Sequence, residues 1–338
     1  MNQFAKSALI KSIVVTALLT LILTACDKKE EAATPAAAAP AATAVAGKEA
    51  DTCATVKFAD IGWTDITATT ALSSTVLEGL GYKAESTIAS VPIAFAGLKK
   101  GQIDAFLGYW SPSMTPIVDP FLKDKAITVL DRPNLVGAKY TLAVPKYAYD
   151  AGLKSFADIG KFTKELDGKI YGIEPGNDGN KLIADMITKD AFGLKSFKMV
   201  ESSEAGMLTE VSRSVKDKKW IVFLGWAPHP MNVQQDIVYL SGGDDFFGPN
   251  YGEAKVFTVT SNDLAARCSN VNKLMTNIEF NVGMENEVML PIMDKVNPNQ
   301  AAKAWLAKNP ESLGKWLAGV NTKDGQPGLE AVKKYLGV

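Results

Sequence analysis

Four aromatic side chains stand where the sequence pattern predicts the ends of strands or the turns beside them. Trp63 lies between a predicted strand and a predicted helix, and Tyr140 opens a short apolar strand. Trp110 and Trp226 each follow an apolar run directly. Ligand sites of α/β proteins lie at strand termini. Aromatic faces that converge there can hold a quaternary ammonium ion, which is attracted to them by cation–π interaction. These residues are therefore a candidate aromatic cage.

Two polar residues accompany the candidate cage. Asp65 follows Trp63 by two positions, and Asn177 stands in a Gly-Asn-Asp-Gly turn. A carboxylate would complement a cation, and an amide can donate to or accept from an alcohol. The alternatives are that Asp65 caps the following helix and that Asn177 is a turn residue. Asp178 and Asn180 are interpreted as caps of the next helix.

The residues of common catalytic and metal sites are scarce in this sequence. Its one histidine, His229, lies between Pro228 and Pro230, and no Gly-x-Ser-x-Gly motif accompanies it. A zinc site built from several histidines is impossible, and the three cysteines give no metal-ligand spacing. We therefore expect no enzyme activity, no metal and no cofactor, and we interpret His229 as a structural turn residue.

Composition places the chain among ordinary globular proteins. It has 338 residues, 47% of them hydrophobic, and a formal net charge of −1 from 36 basic and 37 acidic side chains. These values exclude a disordered chain and a polytopic membrane protein. The near-neutral charge argues against a nucleic-acid partner, because that partner needs a basic surface.

The first fifty residues resemble an export segment followed by a tether. Residues 12–25 are uncharged and largely apolar, which is the length of a signal peptide and short for a membrane span. Small residues then precede Cys26, as in the lipobox of bacterial lipoproteins, which implies cleavage after residue 25 and lipidation of Cys26. An ordinary secretory signal is the alternative. Residues 26–50 are rich in alanine and proline and predict a tether.

Asp27 and the export signal together predict a location. In Gram-negative lipoproteins an aspartate directly after the lipidated cysteine resembles a retention signal for the inner membrane. We expect the protein on the periplasmic face of that membrane, or on the outer face of the membrane in a Gram-positive host. Lipid is the only membrane attachment expected.

Export also bears on the other two cysteines. If Cys26 carries lipid, Cys53 and Cys268 remain as a pair in an oxidising compartment. We predict a disulfide between them, and two separate buried thiols are the alternative.

Strand and helix patterns alternate along the rest of the chain. Strands are predicted at 54–61, 103–108, 140–144, 169–173, 220–224 and 254–260, and helices up to residue 80, at 91–100, at 181–191 and over most of 300–335. Such alternation predicts an α/β fold, and the length of the body favours two lobes with a ligand between them. Trp220, Trp305 and Trp316 fall inside regular elements and are interpreted as core residues.

Five segments carry a more specific resemblance. They are Gly62-Trp63-Thr64-Asp65, Phe106–Trp110 (FLGYW), Lys139-Tyr140-Thr141, Gly172–Asn180 (GIEPGNDGN) and Leu224-Gly225-Trp226. They resemble the substrate-binding proteins of ABC transporters for glycine betaine, proline betaine and choline, and the choline-binding subgroup above all. The resemblance extends from about residue 54 to residue 336.

This resemblance implies a fold, a ligand set and partners. It implies the two-lobed, type II-like periplasmic-binding-protein fold, with lobe I formed by 51–140 and 251–338 and lobe II by 141–250. The ligand-binding residues implied are Trp63, Asp65, Trp110, Tyr140, Asn177 and Trp226. The Cys53–Cys268 pair resembles a disulfide of the subgroup. A monomer that delivers its ligand to a permease and an ATPase is expected.

The charge of Asp65 separates the candidate ligands. Choline carries one positive charge and a hydroxyl, whereas glycine betaine also carries a carboxylate that Asp65 would repel. Lys139 adjoins Tyr140, but strand alternation points it away from the cage. Backbone amides of the 176–180 turn could still hold a carboxylate, so glycine betaine remains the alternative ligand. A hydrolase and a scaffold lipoprotein are the alternatives from other classes.

Overall fold

One mixed sheet of nine strands frames the protein in a computed structural model, which describes residues 47–338. The predicted signal peptide, Cys26, Asp27 and the tether up to residue 46 lie outside the described residues. The strands are β1 Thr55–Asp60, β2 Lys83–Ile88, β3 Ala105–Ser111, β4 Ile127–Pro145, β5 Lys169–Tyr171, β6 Lys198–Val200, β7 Phe223–Ala227, β8 Ile237–Tyr239 and β9 Glu253–Ser261.

The sheet contains two parallel strand groups. Strands β2, β1 and β3 form the first strand group, and β6, β5 and β7 form the second. Two antiparallel strands, β9 and β4, lie between them, so that the order is β2-β1-β3-β9-β4-β7-β5-β6, with β8 paired to β4. Parallel neighbours need helical crossovers, which explains the alternating pattern of the sequence. The α/β prediction is confirmed.

The helices lie between and around these strands. They are α1 Thr64–Gly79, α2 Val91–Lys99, α3 Thr115–Lys123, α4 Lys146–Asp150, α5 Phe156–Ile159, α6 Asp178–Thr188, α7 Glu204–Lys216, α8 Met231–Gln234, α9 Asp244–Phe247, α10 Pro249–Gly252, α11 Leu264–Arg267, α12 Ser269–Asn277, α13 Val282–Met293, α14 Pro298–Lys308, α15 Ser312–Trp316 and α16 Gly328–Leu336. The predicted C-terminal helices are therefore present. No helix within residues 47–338 is long and apolar enough to cross a bilayer.

Helix α1 is buried on nearly all sides. It packs on β1 and β3 and is covered by α13, α14 and α16. Its serines and threonines tolerate this burial because their hydroxyls donate to backbone carbonyls one turn earlier, as Thr69 does to Asp65, Ser73 to Thr69 and Thr75 to Ala71. A helix covered all round holds its first turn firmly, and that turn carries Asp65.

Strand β4 links the two strand groups. Its residues 127–139 pair with β9, and its residues 139–143 pair with β7. Tyr140 therefore lies where the long strand passes from one group to the other. Gly252 permits this close approach, since its φ is +70° and a Cβ there would stand 2.0 Å from the Tyr140 carbonyl oxygen.

The predicted disulfide is present. The Cys53 and Cys268 sulfur atoms are bonded, and the two cysteines are separated by 215 positions along the chain. The bond joins the residues just before β1 to the start of α12. Glu49, four residues earlier, is also held by the body, because it accepts from the Tyr82 hydroxyl at 2.6 Å and from the Asn270 backbone at 2.7 Å.

The tryptophans interpreted as core residues differ in burial. Trp316 is fully buried and donates its indole N–H to the Glu279 carbonyl. Trp220 and Trp305 are only partly buried against the core. Trp220 also precedes β7 instead of lying in it, because the strand begins at Phe223.

Candidate functional site

One cavity is lined by residues from both strand groups. Its walls are Trp63, Asp65, Trp110, Tyr140, Ile173, Asn177, Asp178 and Trp226. All six predicted ligand-binding residues therefore lie around one cavity, although they span more than 160 positions of sequence. Their role in binding stays a prediction. Ile173 and Asp178 were not predicted to line it.

Tyr140 is the central ring of the aromatic wall. Its ring centroid is 6.0 Å from that of Trp110 and 6.4 Å from that of Trp226. Tyr140 and Trp226 are also directly opposed in the β4–β7 ladder, so the sheet itself sets their spacing. All four aromatic residues are at most 6% exposed. The four rings are therefore almost completely shielded from solvent.

Trp63 is placed by the turn between β1 and α1. Gly62 adopts φ +85° there and donates its N–H to Asp60 Oδ1 at 2.7 Å. Trp63 itself is the N-cap of α1 in extended backbone, and its side chain makes no capping bond. The prediction that Trp63 lies between a strand and a helix is therefore confirmed.

The other three aromatic residues lie inside strands. Trp110 is within β3, Trp226 within β7, and Tyr140 in the second half of the long β4. The prediction that the two tryptophans follow their strands, and that Tyr140 opens one, was wrong. The strands continue because neighbouring strands pair with them through these positions, for example Trp110 with Val256. Local apolar runs do not reveal that pairing.

Asp65 and Asn177 also differ from their alternative interpretations. Asp65 is the second residue of α1 and not its cap, and its Oδ1 is buried with no partner among the described residues. Asn177 is the cap of α6, since its Oδ1 accepts from the Asn180 backbone at 3.1 Å. The prediction that Asp178 or Asn180 caps this helix was wrong. Asp178 instead follows the cap and lines the cavity.

A short hydrogen-bond chain links the aromatic wall to the polar wall. The Tyr140 hydroxyl donates to Asn177 Oδ1 at 3.0 Å, and Asn177 Nδ2 donates to Asp178 Oδ1 at 3.3 Å. Asp178 Oδ2 has no partner within residues 47–338. Two unpartnered carboxylate oxygens, one from Asp65 and one from Asp178, thus belong to buried side chains of the cavity wall. Buried acceptors of this kind favour a ligand that brings positive charge or a donor.

Burial raises the pKa of three carboxyl groups in or beside the cavity wall. It raises the pKa of Asp178 to about 6 and that of Glu174, behind Trp63, to about 7. It also raises the pKa of Asp65 well above its usual range, and the nearby charge of Glu204 adds to that effect. A cation in the cavity would favour the ionised forms of these groups.

Positive side chains are missing from the cavity wall described above. Lys139, next to Tyr140, extends toward the ring of Tyr251, with its Nζ 5.4 Å from the ring centroid. His229 is buried behind Trp226, at a ring separation of 5.0 Å, and does not line the cavity. A carboxylate ligand would therefore find no cationic side chain on this wall.

His229 is engaged through both ring nitrogens. Its Nδ1 accepts from the Met231 backbone at 3.0 Å, and its Nε2 lies 3.2 Å from Glu204 Oε1. Because Nδ1 is an acceptor, Nε2 carries the proton and donates to Glu204. This is a structural arrangement, and it leaves neither nitrogen free to act as a general base.

Comparisons with known proteins identify the family of this chain. Residues 54–308 match the OpuAC family, the substrate binding domain of the ABC-type glycine betaine transport system. An ABC-transporter choline binding protein, solved in complex with choline, is 53% identical and superposes with a TM-score of 0.84, covering 86% of this chain and 100% of that chain. The superposition confirms the predicted two-lobed fold.

Two further relatives are more distant. The glycine betaine/carnitine transport binding protein GbuC of Listeria monocytogenes is 30% identical over 169 residues, which are 50% of this chain and 54% of that protein. Lactococcal OpuAC, solved in its closed-liganded conformation with glycine betaine, is 24% identical with a TM-score of 0.71, covering 78% of this chain and 99% of that chain. It shares the fold. Because the family match covers most of its length, this chain belongs to the family of substrate-binding domains of ABC-type glycine betaine transport systems.

Proposed function

We propose that this protein captures choline outside the cytoplasm and delivers it to the permease of an ABC importer. One observation carries the proposal: among residues 47–338 the cavity wall consists of four aromatic rings, two carboxyl groups, one amide and one isoleucine, with no lysine or arginine. Aromatic faces attract a trimethylammonium group, and the carboxylates complement its charge. The family is a transport family and not an enzyme class.

The charge of the cavity favours choline over glycine betaine. Both ligands share the trimethylammonium group, so the aromatic rings alone do not separate them. The carboxylate of glycine betaine would meet the oxygens of Asp65 and Asp178 with no cationic side chain to offset the repulsion. The hydroxyl of choline can donate to such an oxygen instead, which gives a charge-assisted hydrogen bond.

Asn177 supports recognition of the same hydroxyl. Its Oδ1 already accepts from Tyr140 and Asn180, and one Nδ2 hydrogen goes to Asp178, so the second Nδ2 hydrogen is left to donate to a ligand. An alcohol oxygen accepts that bond while its proton goes to a carboxylate. The 53% identity to a protein solved with choline supports choline as the proposed ligand.

We also propose that two lobes enclose the ligand. Lobe I is proposed as 51–140 and 251–338, lobe II as 141–250, and the ligand bridges them so that binding favours closure. Trp63 and Trp110 come from lobe I, Trp226 and Asn177 from lobe II, and Tyr140 from the join. We further propose that the protein is a monomer lipidated at Cys26. Its closed, ligand-bound form would bind to a permease and ATPase pair and deliver the ligand there.

Calorimetric titration with choline, acetylcholine, tetramethylammonium and glycine betaine tests the proposal. We expect choline to bind with a Kd of about 1 µM or tighter, because four cation–π contacts of about 1–2 kcal/mol each approach the roughly 8 kcal/mol that micromolar binding requires. Choline should also remain chemically unchanged after long incubation. Much tighter binding of glycine betaine than of choline would assign the site to betaines instead.

A single methyl group at Gly179 should disturb the polar wall. An added Cβ would stand 2.0 Å from the Tyr140 hydroxyl oxygen, so Gly179→Ala must displace that hydroxyl from Asn177. Losing one buried hydrogen bond costs about 1–1.5 kcal/mol, so we expect choline binding to weaken about tenfold, measured by calorimetry. Gly314→Ala, at a glycine with open space around its Cβ, is the matched control and should bind normally.

Choline affinity should depend on pH in a defined direction. The pKa of Glu174 is raised to about 7 and that of Asp178 to about 6, and the pKa of Asp65 is raised well above its usual range, in each case mainly by burial. A cation favours the ionised carboxylates, so protons compete with choline. Affinity is therefore fully present above the raised pKa values and lost as the pH falls through them. Between about pH 8 and pH 5.5 we expect a loss of about tenfold or more.

Calorimetry in buffers of different ionisation enthalpy would count the protons released on binding near pH 6.5. Glycine betaine supplies the comparison, because its own carboxylate is disfavoured by ionised Asp65 and its affinity should fall much less. Choline affinity that rises on acidification would contradict the assignment of these carboxylates to cation binding.

A further inference from the structure

Two glutamates that follow strands of the second strand group form hydrogen bonds with the start of α1. Glu174, three residues after β5, accepts the Trp63 indole N–H with both carboxylate oxygens, each 3.0 Å from Nε1. Glu204, the first residue of α7, accepts from the Thr64 backbone N–H at 2.9 Å and from the Thr64 hydroxyl. We call Trp63, Thr64, Glu174 and Glu204 together the clasp. Glu174 and Glu204 lie outside the cavity wall and do not face the ligand site directly.

The clasp replaces bonds that α1 does not make by itself. A helix begins with backbone N–H groups that need external acceptors, and Trp63, the N-cap, has no side chain that could supply one. Glu204 supplies that acceptor from the other strand group, and its negative charge faces the positive end of the helix. Since Trp63 and Thr64 belong to the first strand group, separation of the two groups breaks both sets of bonds.

Glu204 is itself oriented by the single histidine. His229 Nε2 donates to Glu204 Oε1, and the backbone of Met231 fixes the ring through Nδ1. Both His229 and Glu204 are buried. The carboxylate is therefore held rigidly in the second strand group before it meets Thr64.

Trp63 and Trp110 differ in how they are held. The Trp63 indole N–H is bonded to Glu174, whereas the Trp110 indole N–H is buried without a partner in the part of the chain that the structure describes. Trp110 is thus fixed by packing within its own strand group. The position of the Trp63 ring depends on a residue 111 positions away across the cavity.

We propose that Glu174 and Glu204 are positioning residues that lock the Trp63 ring into the cage when the two strand groups come together, and that they thereby slow the escape of the ligand. The inference rests on the proposed function, because it assigns these residues a role at the same site. Association begins before the clasp has formed, so its contribution lies in the dissociation rate constant.

Stopped-flow fluorescence tests the clasp, using whichever of choline and glycine betaine the wild-type protein binds more tightly. A charge-assisted hydrogen bond of about 1.5–3 kcal/mol predicts that Glu174→Ala raises the dissociation rate constant about 10- to 100-fold, with the association rate constant nearly unchanged. Glu174→Gln keeps an acceptor for the indole and should have a smaller effect. Glu204→Ala should resemble Glu174→Ala, and the exposed Glu165→Ala is the control.

A double-mutant cycle separates positioning from a general structural effect. In a Trp63→Phe background the indole N–H is absent, so Glu174→Ala should add little to the dissociation rate constant. In a Trp110→Phe background it should retain its full effect. Unchanged dissociation in Glu174→Ala and Glu204→Ala, or equal effects in the two backgrounds, would overturn the proposal. The wild-type titration alone decides between choline and glycine betaine, so the two failures are distinguishable.

Discussion

Asp65→Asn is expected to weaken choline binding about 100-fold at pH 8, because it removes a buried negative charge from beside the cage while keeping the shape of the side chain. A hydrogen bond to a charged group is worth about 1.5–3 kcal/mol, and each 1.4 kcal/mol is a factor of about ten. Asp65 Oδ1 has no donor among the described residues, so a ligand would be its first partner.

Glycine betaine should respond differently to the same substitution. Removing the charge also removes a repulsion from the betaine carboxylate, so Asp65→Asn should lose little betaine affinity or gain some. Calorimetry with both ligands measures the ratio directly. Asp131→Asn, an exposed aspartate in β4, controls for unspecific effects of lost charge. Equal losses for the two ligands would show that Asp65 has no charge role in selectivity.

Trp110→Ala is expected to weaken choline binding about 100-fold or more. The variant loses one desolvated cation–π contact of about 2 kcal/mol and the ring that covers the trimethylammonium group. Trp110→Phe should be milder, since it keeps an aromatic face and loses no hydrogen bond of the described protein. Dissociation constants from calorimetry avoid the change in tryptophan fluorescence that both variants cause.

The control for Trp110 is a tryptophan outside the cavity. Trp305 is partly buried on α14 and donates its indole N–H to Glu287 at 2.7 Å. Trp305→Ala should lower the melting temperature without changing choline affinity. Trp110→Ala should have a larger effect on affinity than the milder Trp110→Phe. Similar affinity for wild type and Trp110→Ala would show that the aromatic wall does not bind the cation.

Three of the four aromatic residues of the cavity could be predicted from local sequence because they stand near glycines and prolines, whereas Tyr140 has neither beside it. Trp63 follows Gly62, and Trp226 follows Gly225 shortly before Pro228. Such positions mark turns near the ends of strands, and a strand end is where an α/β fold places its ligand. The exact strand limits could not be predicted, because pairing with β9 extends β3 past Trp110.

The roles of Glu174 and Glu204 could not be predicted from the sequence, because they depend on contacts between distant parts of the chain. Glu174 and Glu204 meet the first turn of α1 from 111 and 140 positions away. No local pattern in the sequence distinguishes them from the exposed glutamates of the chain. The place of Asp178 in the cavity wall could have been predicted, since this residue adjoins Asn177 in the same turn. It was interpreted as a cap because carboxylates at helix starts usually have that role.

The disulfide has a mechanical consequence. A pulling force applied to the chain ahead of residue 53 reaches the Cys53–Cys268 bond before it reaches β1, which begins at Thr55. The load then passes through a covalent link to α12 instead of peeling β1 out from between β2 and β3. The 215-position segment closed by the bond cannot lengthen under that force. Every residue of the cavity wall lies inside this segment, so tension on the proposed tether leaves the binding site unstretched.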